Sequence, residues 1–296
     1  MRVFIKGSLF VAALLALFAL PGETGAASTQ LAQGQPADKP STNTAGSAPP
    51  AAGPSLEELS NQAANPNAPL TQLQLRNVIA PRLPGFDGTG NVLQLQAIVP
   101  VKPHEITPFP LIMKFNFQVA TVPKPIDQTA LGNFQFFAQG VQTQSWGSWG
   151  IGFTVSAPTE TFSKIPSGPW QLGPAAGIIY TGIEKLVLGG VVQNPISLTA
   201  KSGQSSNQLS FEPSITYTLP GGWYFGYPDF AWTVNWQNHG AVSFPVGLQV
   251  GKIILIGKQP FSVNIEGGYN AVRPHNGNGV PRSIIGIEFT ALFPAL

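Results

Sequence analysis

Single charged residues occur in stretches where apolar and polar residues alternate, and these are the residues best placed to do chemistry. With the uncharged polar residues on the same side of the alternation they form a candidate set: Lys114, Asn116, Gln118, Glu212, Asn264, Glu266 and Glu288. Charges along an aqueous path bias which solutes pass it. Alternatively, the same charges can pair with one another and brace the surrounding structure. The sequence leaves both interpretations open.

No group of residues in the sequence indicates catalysis. The three histidines, His104, His239 and His275, are far apart and fall in expected connections between strands. The sequence has neither the Gly-x-Ser-x-Gly turn of many hydrolases nor the His-Glu-x-x-His spacing of a zinc site. We therefore expect no catalytic, metal-binding or cofactor-binding residues. A barrel hydrolase remains the minor alternative.

The elements that must position the candidate residues are β-strands. From Ile285 to Phe293, for example, isoleucine, phenylalanine and alanine alternate with glycine, glutamate and threonine. Such a strand has one apolar and one polar face, because successive side chains point to opposite sides. Twelve segments have this character: 71–81, 92–101, 109–121, 131–142, 148–158, 171–181, 185–196, 208–219, 223–233, 242–256, 260–270 and 283–294. Most are about 11 residues long, enough to cross a bilayer when tilted.

These segments predict an all-β fold over residues 70–296, a transmembrane antiparallel up-and-down β-barrel of about 12 strands. Only 9% of the residues are charged, against about 25% in an average soluble domain. The connections alternate between mostly short and mostly longer, as expected for periplasmic turns and external loops. A secreted carbohydrate-binding β-sandwich is the soluble alternative. The net charge of +2 does not favour nucleic-acid binding.

The first 69 residues divide into three parts. Residues 1–26 combine Arg2 and Lys6 with an apolar run and small residues, which is typical of a secretory signal peptide. An uncleaved membrane anchor is disfavoured because the apolar run is too short to span. Residues 27–54 are rich in proline, alanine and glycine and predict a disordered periplasmic tail. Residues 55–69 predict a short helix and linker, with Ser55 as N-cap.

Aromatic residues crowd the ends of several predicted strands: Trp146, Trp149, Trp170, Trp223, Tyr224, Phe225, Tyr227, Trp232 and Trp236. Interfacial girdles of a membrane barrel have this character, and a carbohydrate-stacking surface is the rival interpretation. The last strand ends with aromatic residues on one face, Phe289 and Phe293. We predict that these two residues act as the signal for barrel assembly.

Several short stretches resemble those of a large family of Gram-negative outer-membrane proteins. They are Asn65-Pro66, Trp149 to Gly152, Pro158-Thr159, Trp170 to Pro174, Glu212 to Thr218, Gly257 to Pro260 and Leu292 to Pro294. The family is described as transporter-like and is related to barrels associated with phenol meta-pathway genes. Some of its members carry a neuromedin U label. The resemblance covers roughly residues 65–296 and implies an outer-membrane barrel with a role in transport, without catalytic residues.

These observations predict a bacterial outer-membrane barrel that acts as a passive channel or small-molecule transporter. The expected partners are outer-membrane lipid and lipopolysaccharide, the barrel-assembly machinery and a small solute that the sequence does not identify. The alternative is a structural or adhesive envelope barrel with a closed lumen. Twelve strands lie between eight, where side chains fill the interior, and sixteen, where an aqueous channel is open.

Overall fold

The computed structural model describes residues 54–199, 205–274 and 279–294. The signal peptide expected at 1–26 and all but the last residue of the tail expected at 27–54 lie outside this part of the chain. The described residues form one closed antiparallel barrel of twelve strand positions. It closes where β1 (Leu70–Ala80) pairs with β15 (Ser283–Pro294), the first and last strands of the sheet.

Three of the twelve positions are each occupied by two collinear segments, because the chain interrupts the strand and then resumes it. These pairs are β4 (Gln128–Leu131) with β5 (Phe134–Gln144), β8 (Leu186–Gln193) with β9 (Ile196–Ser197), and β11 (Trp223–Gly226) with β12 (Trp232–Asn235). The remaining strands are β2 (Gly90–Val101), β3 (Leu111–Val122), β6 (Gly147–Ala157), β7 (Gln171–Ile183), β10 (Gln208–Thr218), β13 (Ala241–Ile256) and β14 (Gln259–Val272). The twelve-strand barrel expected from the sequence is confirmed.

The alternation in the sequence corresponds to the two faces of the barrel wall. In β14, Ile265 is 63% exposed on the outside, whereas its neighbours Asn264 and Glu266 are buried on the inside. In β15, Ile287 is exposed and Glu288 is buried. An apolar exterior around a polar interior is the arrangement of a barrel surrounded by hydrocarbon. Closure of the barrel allows this, because every backbone group in the wall is then paired without water.

The aromatic residues at the strand ends divide between the two faces. Five tryptophans are exposed on the outside, as interfacial girdles require: Trp146, Trp149, Trp170, Trp223 and Trp236. Two tyrosines were expected with them, and that prediction is wrong. Tyr224 is buried inside and its hydroxyl forms a hydrogen bond with the Ser262 hydroxyl, 2.8 Å away. Tyr227 lines the interior and donates to the Pro245 carbonyl oxygen. Tyr224 is an inward position of β11, whose side chains alternate between the two faces, whereas Tyr227 follows the end of that strand, where the chain leaves the two-residue period.

The first described element is helix α1 (Leu56–Ala64), which follows its N-cap Ser55. The Ser55 hydroxyl accepts a hydrogen bond from the Glu58 backbone N–H, as the Ser-x-x-Glu spacing predicts. In the described part of the chain, no helix has the length and apolar character needed to cross a bilayer. Helix α1 instead packs against strands at the end of the barrel where the chain enters and leaves it.

A small apolar cluster closes around α1 at this end, and we call it the sealed end. It consists of Leu59, Ala68, Leu70, Tyr224, Ile253 and Leu292, all of them buried. The adjoining turns are short, including the single helical turn Pro220–Gly222 and the connection at 257–258. Short turns mark the periplasmic side of a bacterial barrel, so α1 occupies the periplasmic mouth.

Candidate functional site

The barrel encloses a cavity of 460 Å³ above helix α1. The floor is formed by α1 and the linker after it, including Ser60, Ala63 and Pro66. The walls are formed by inward side chains of the strands, and most of these are amides, hydroxyls or charged groups. An interior of this chemistry stabilises water and polar solutes rather than an apolar filling.

The structure brings the residues predicted from the sequence to this one cavity. Six of them line it directly: Lys114, Asn116, Gln118, Glu212, Asn264 and Glu288. The seventh, Glu266, is buried in the same wall and is covered by Arg76, which lines the cavity. Their placement follows from strand register alone, and what they do to a solute stays a prediction.

The best-defined ion pair in the wall joins β1 to β14. Arg76 Nε donates to Glu266 Oε1 at 2.8 Å, and Arg76 Nη2 lies 2.7 Å from the same oxygen. Arg76 Nη1 also donates to Gln94 Oε1 at 3.2 Å. The Glu266 side chain lies over Gly286 of the neighbouring strand, where a Cβ atom would collide with its carboxylate. A glycine at this register position is therefore what leaves room for the pair.

Glu288 lies next to this pair but is satisfied differently. Its Oε1 accepts hydrogen bonds from Thr290 Oγ1 at 2.8 Å and from Asn264 Nδ2 at 3.3 Å. Within the described residues no lysine, arginine or histidine nitrogen lies within ion-pair distance of it. The remaining amide oxygen, Asn264 Oδ1, is buried and has no partner among the same residues. The Glu288 carboxyl group and the Asn264 amide oxygen therefore have no cation partner among the described residues.

A third carboxyl group reaches the cavity from an interruption in the wall. Between β11 and β12, residues 227–231 leave the sheet, and we call them the inward segment. Asp229 in this segment lines the cavity and interacts electrostatically with Arg76, Glu266 and Glu288. Phe230 is buried beside Arg76, whose guanidinium carbon is 5.6 Å from the ring centroid.

Contacts with Gly268 and Gln249 help to hold the inward segment in place. The Phe230 ring fills the space at Gly268, where a Cβ atom would collide with it. Gln249 Nε2 donates to the Tyr227 carbonyl oxygen at 3.0 Å, which anchors the start of the segment to β13. We call Arg76, Asp229, Glu266 and Glu288 the carboxylate cluster.

Beside the carboxylate cluster, the part of the wall formed by β1, β2 and β3 is lined mainly by uncharged amides, and we call it the amide wall. Gln96 Nε2 donates to Gln74 Oε1 at 2.7 Å, and Gln74 Nε2 donates to Gln72 Oε1 at 3.1 Å, which forms a short ladder. Lys114 is the cation of this wall. Its Nζ lies 5.5 Å from the centroid of the buried Phe137 ring, and it makes no ion pair within the described residues.

Sequence reasoning missed two members of the carboxylate cluster. Arg76 follows Gln72 and Gln74 on one face of β1, so the two-residue period could have found it. Asp229 stands in Tyr-Pro-Asp-Phe between two strand segments, and no periodic signal there predicts an inward turn.

The remaining residues singled out from the sequence are dispersed. His104 lies in the connection after β2 and His239 in the connection before β13, at opposite ends of the barrel; His275 lies outside the described residues. No group of histidine and carboxylate side chains that could hold a metal ion is found in the described part of the chain. Phe289 and Phe293 lie on the outer face of β15, 40% and 39% exposed.

Comparison with solved structures places this barrel among outer-membrane proteins. An outer-membrane channel from Pseudomonas putida F1 superimposes with a TM-score of 0.52 at 13% identity, over 76% of this chain and 94% of that chain. The chain is a β-barrel of the outer-membrane type. A KdgM porin in complex with disordered oligogalacturonate is more distant (TM-score 0.45, 12% identity, 75% of this chain and 99% of that chain). So is the outer membrane phospholipase A from Escherichia coli (TM-score 0.42, 10% identity, 75% and 92%).

At the level of sequence, no family model and no curated protein matches the chain. The structural likeness therefore supports an outer-membrane barrel in general, and the narrower family resemblance has no support from these comparisons. With its apolar exterior, this fold agrees with the bacterial outer-membrane location expected from the sequence.

Proposed function

We propose that this protein is a passive channel for small polar solutes across the outer membrane. The observation that carries the proposal is the polar cavity of 460 Å³ inside a closed twelve-strand wall. A barrel that served only as a scaffold would gain stability from apolar side chains in this space, because buried polar groups cost free energy unless every one is satisfied. Here Asn116 Oδ1 and Asn264 Oδ1 have no partner among the described residues, and water or a solute would satisfy them.

A structural barrel with a closed lumen is the second candidate, and helix α1 favours it. The helix lies in the periplasmic mouth, and Thr218 Oγ1 donates to Asn61 Oδ1 at 2.7 Å. Across the mouth, Asn67 Nδ2 donates to Ser148 Oγ at 3.0 Å, and Gln139 Nε2 donates to Asn67 Oδ1. These contacts tie residues 55–69 to three strands, β10, β6 and β5, so passage through the full length requires that this segment shift.

Single-channel recording separates the two candidates. The mature protein, refolded in detergent and confirmed as folded by heat-modifiable migration on a gel, is added to a planar lipid bilayer. The passive channel predicts stepwise conductance that recurs between independent preparations. A folded barrel that stays silent over a wide voltage range would contradict the channel and support the closed barrel. Uptake of small uncharged sugars into liposomes, read by swelling, provides a second measurement of the same path.

A further inference from the structure

We propose that the carboxylate cluster makes this lumen selective for small cations, which bind between Asp229, Glu288 and Asn264 as they pass the inward segment. The inference rests on the proposed channel function and names the solute class that the cavity prefers. Three carboxyl groups face a single guanidinium in this part of the wall.

The pairing within the cluster leaves its negative charge incompletely balanced. Arg76 directs both Nε and Nη2 to Glu266 Oε1, so its charge is committed to the one carboxyl group that the cavity does not reach. Asp229 and Glu288 line the cavity and have no ion-pair partner among the described residues. Glu288 is buried, whereas Asp229 is exposed to the lumen. A buried, unpaired charge is costly, and a mobile cation supplied by the lumen lowers this cost at Glu288.

Asn264 provides independent support for a ligand at this position. The residue is only 5% exposed, lines the cavity, and donates through Nδ2 to Glu288 Oε1. That donation fixes the orientation of the amide, because a carboxylate can only accept. Its Oδ1 is then left unpartnered within the described residues, beside a carboxyl group. An oxygen so placed can coordinate a cation or accept from an ammonium group, and it repels an anion.

The geometry of the inward segment makes this cluster decisive for selection. Residues 227–231 leave the sheet and carry Asp229 to the cavity, whereas the lining carboxylates Glu212 and Glu288 project from strands of the wall. The other lining carboxylate, Glu212, accepts from Gln193 Nε2 at 3.0 Å and adds to the same sign of charge. The positive charge of Lys114, on the amide wall, opposes the negative charge of these carboxylates. The summed field of the lining therefore favours cations.

The test is the reversal potential of the full mature chain in a planar bilayer under a KCl gradient. Wild type should give the sign set by K⁺, and the variant Asp229→Asn with Glu288→Gln should lower the K⁺ to Cl⁻ permeability ratio severalfold. Glu184→Gln is the matched control, because Glu184 is 88% exposed in a turn and its loss should leave the ratio unchanged. A conducting wild type that prefers Cl⁻, or a double variant with unaltered selectivity, overturns the inference.

A second measurement keeps the inference testable if the barrel does not conduct. Tb³⁺ bound near Tyr224 should show sensitised luminescence, because Tyr224 is within electrostatic range of Asp229 and Glu288. The luminescence should be lost in Asp229→Asn with Glu288→Gln and retained in Glu184→Gln. A folded barrel that does not conduct but shows this luminescence would contradict the proposed channel and still support the cation site. Equal luminescence in wild type and double variant would overturn the site.

Discussion

The two halves of the barrel interior are built from the same strands but packed in opposite ways. At the sealed end, Leu59, Leu70, Ile253 and Leu292 are at most 3% exposed and fill the space around α1. Further along the same strands, inward positions carry glutamine, asparagine and charged residues around the 460 Å³ cavity. In β15, Leu292 and Glu288 are only four residues apart on the inner face.

This difference separates a structural task from a chemical one. Dense apolar packing at the sealed end, together with the hydrogen bonds of Asn61 and Asn67, fixes the position of the N-terminal segment. In the polar half, side chains of neighbouring strands bond to one another along the wall, as Gln96 does with Gln74 and Gln193 with Glu212. Changing the packing at the sealed end should therefore affect passage, and changing the charges should affect which solutes pass.

The largest expected effect comes from loosening the sealed end. Leu59→Ala removes the central apolar side chain of α1, and a change of this kind costs about 2–5 kcal/mol when the site is fully packed. Most of this cost falls on the docking of α1, so the undocked population should rise by at least about tenfold. We expect a higher single-channel conductance or a larger open fraction in planar bilayers.

Glu58→Gln is the control on the same helix, because Glu58 is exposed and its backbone N–H still bonds to Ser55. Its channel behaviour should match wild type. If Leu59→Ala conducts no better than Glu58→Gln, the mouth is not the constriction, and the sealed end has no part in controlling passage.

Breaking the ion pair of the carboxylate cluster should have the next largest effect. Arg76→Ala leaves Glu266 buried without its cation, and the loss of one partner of a buried pair costs about 3–5 kcal/mol. The free energy of unfolding in urea, followed by heat-modifiable migration, should fall accordingly. Lys114→Ala is the comparison, since Lys114 lines the same cavity without an ion pair among the described residues. Equal losses in the two variants would show that the pair adds nothing specific.

Features of the barrel that follow from local sequence can be predicted, whereas features that depend on long-range contacts cannot. The barrel, its strand positions and the inward residues such as Glu288 all follow from a two-residue period, which local sequence contains. The inward placement of Asp229 and Tyr227 depends on an interruption of one strand. The placement of α1 in the mouth depends on contacts of Thr218 with Ser60 and Asn61, which are separated from it by 158 and 157 positions in the sequence. Long-range packing of this kind leaves no periodic trace in a single sequence.

A substitution on the outer face of the last strand tests barrel assembly without changing the residues of the barrel interior. Phe293→Asp should lower the amount of folded barrel in the outer membrane, because assembly is expected to recognise the terminal aromatic residues. Phe293 lies near the end of β15, where a charge facing lipid costs only about 0–1 kcal/mol. Phe225→Asp is the control, since Phe225 is exposed on the outer face of β11 close to the same end of the barrel and does not belong to the last strand. Equal losses would assign the effect to lipid exposure and not to assembly.

The smallest expected effect concerns the amide wall. Lys114→Gln removes the one lining cation that has no carboxylate partner among the described residues, while an amide of similar reach preserves the packing over Phe137. The K⁺ to Cl⁻ permeability ratio should rise, but by no more than about twofold at physiological salt, because water and ions in the lumen screen a single charge. Repeating the reversal-potential measurement at low salt should enlarge the difference between Lys114→Gln and wild type. A ratio that falls in this variant would contradict the proposed role of Lys114, because removing a positive charge from the lining cannot favour Cl⁻ over K⁺ through Coulomb attraction.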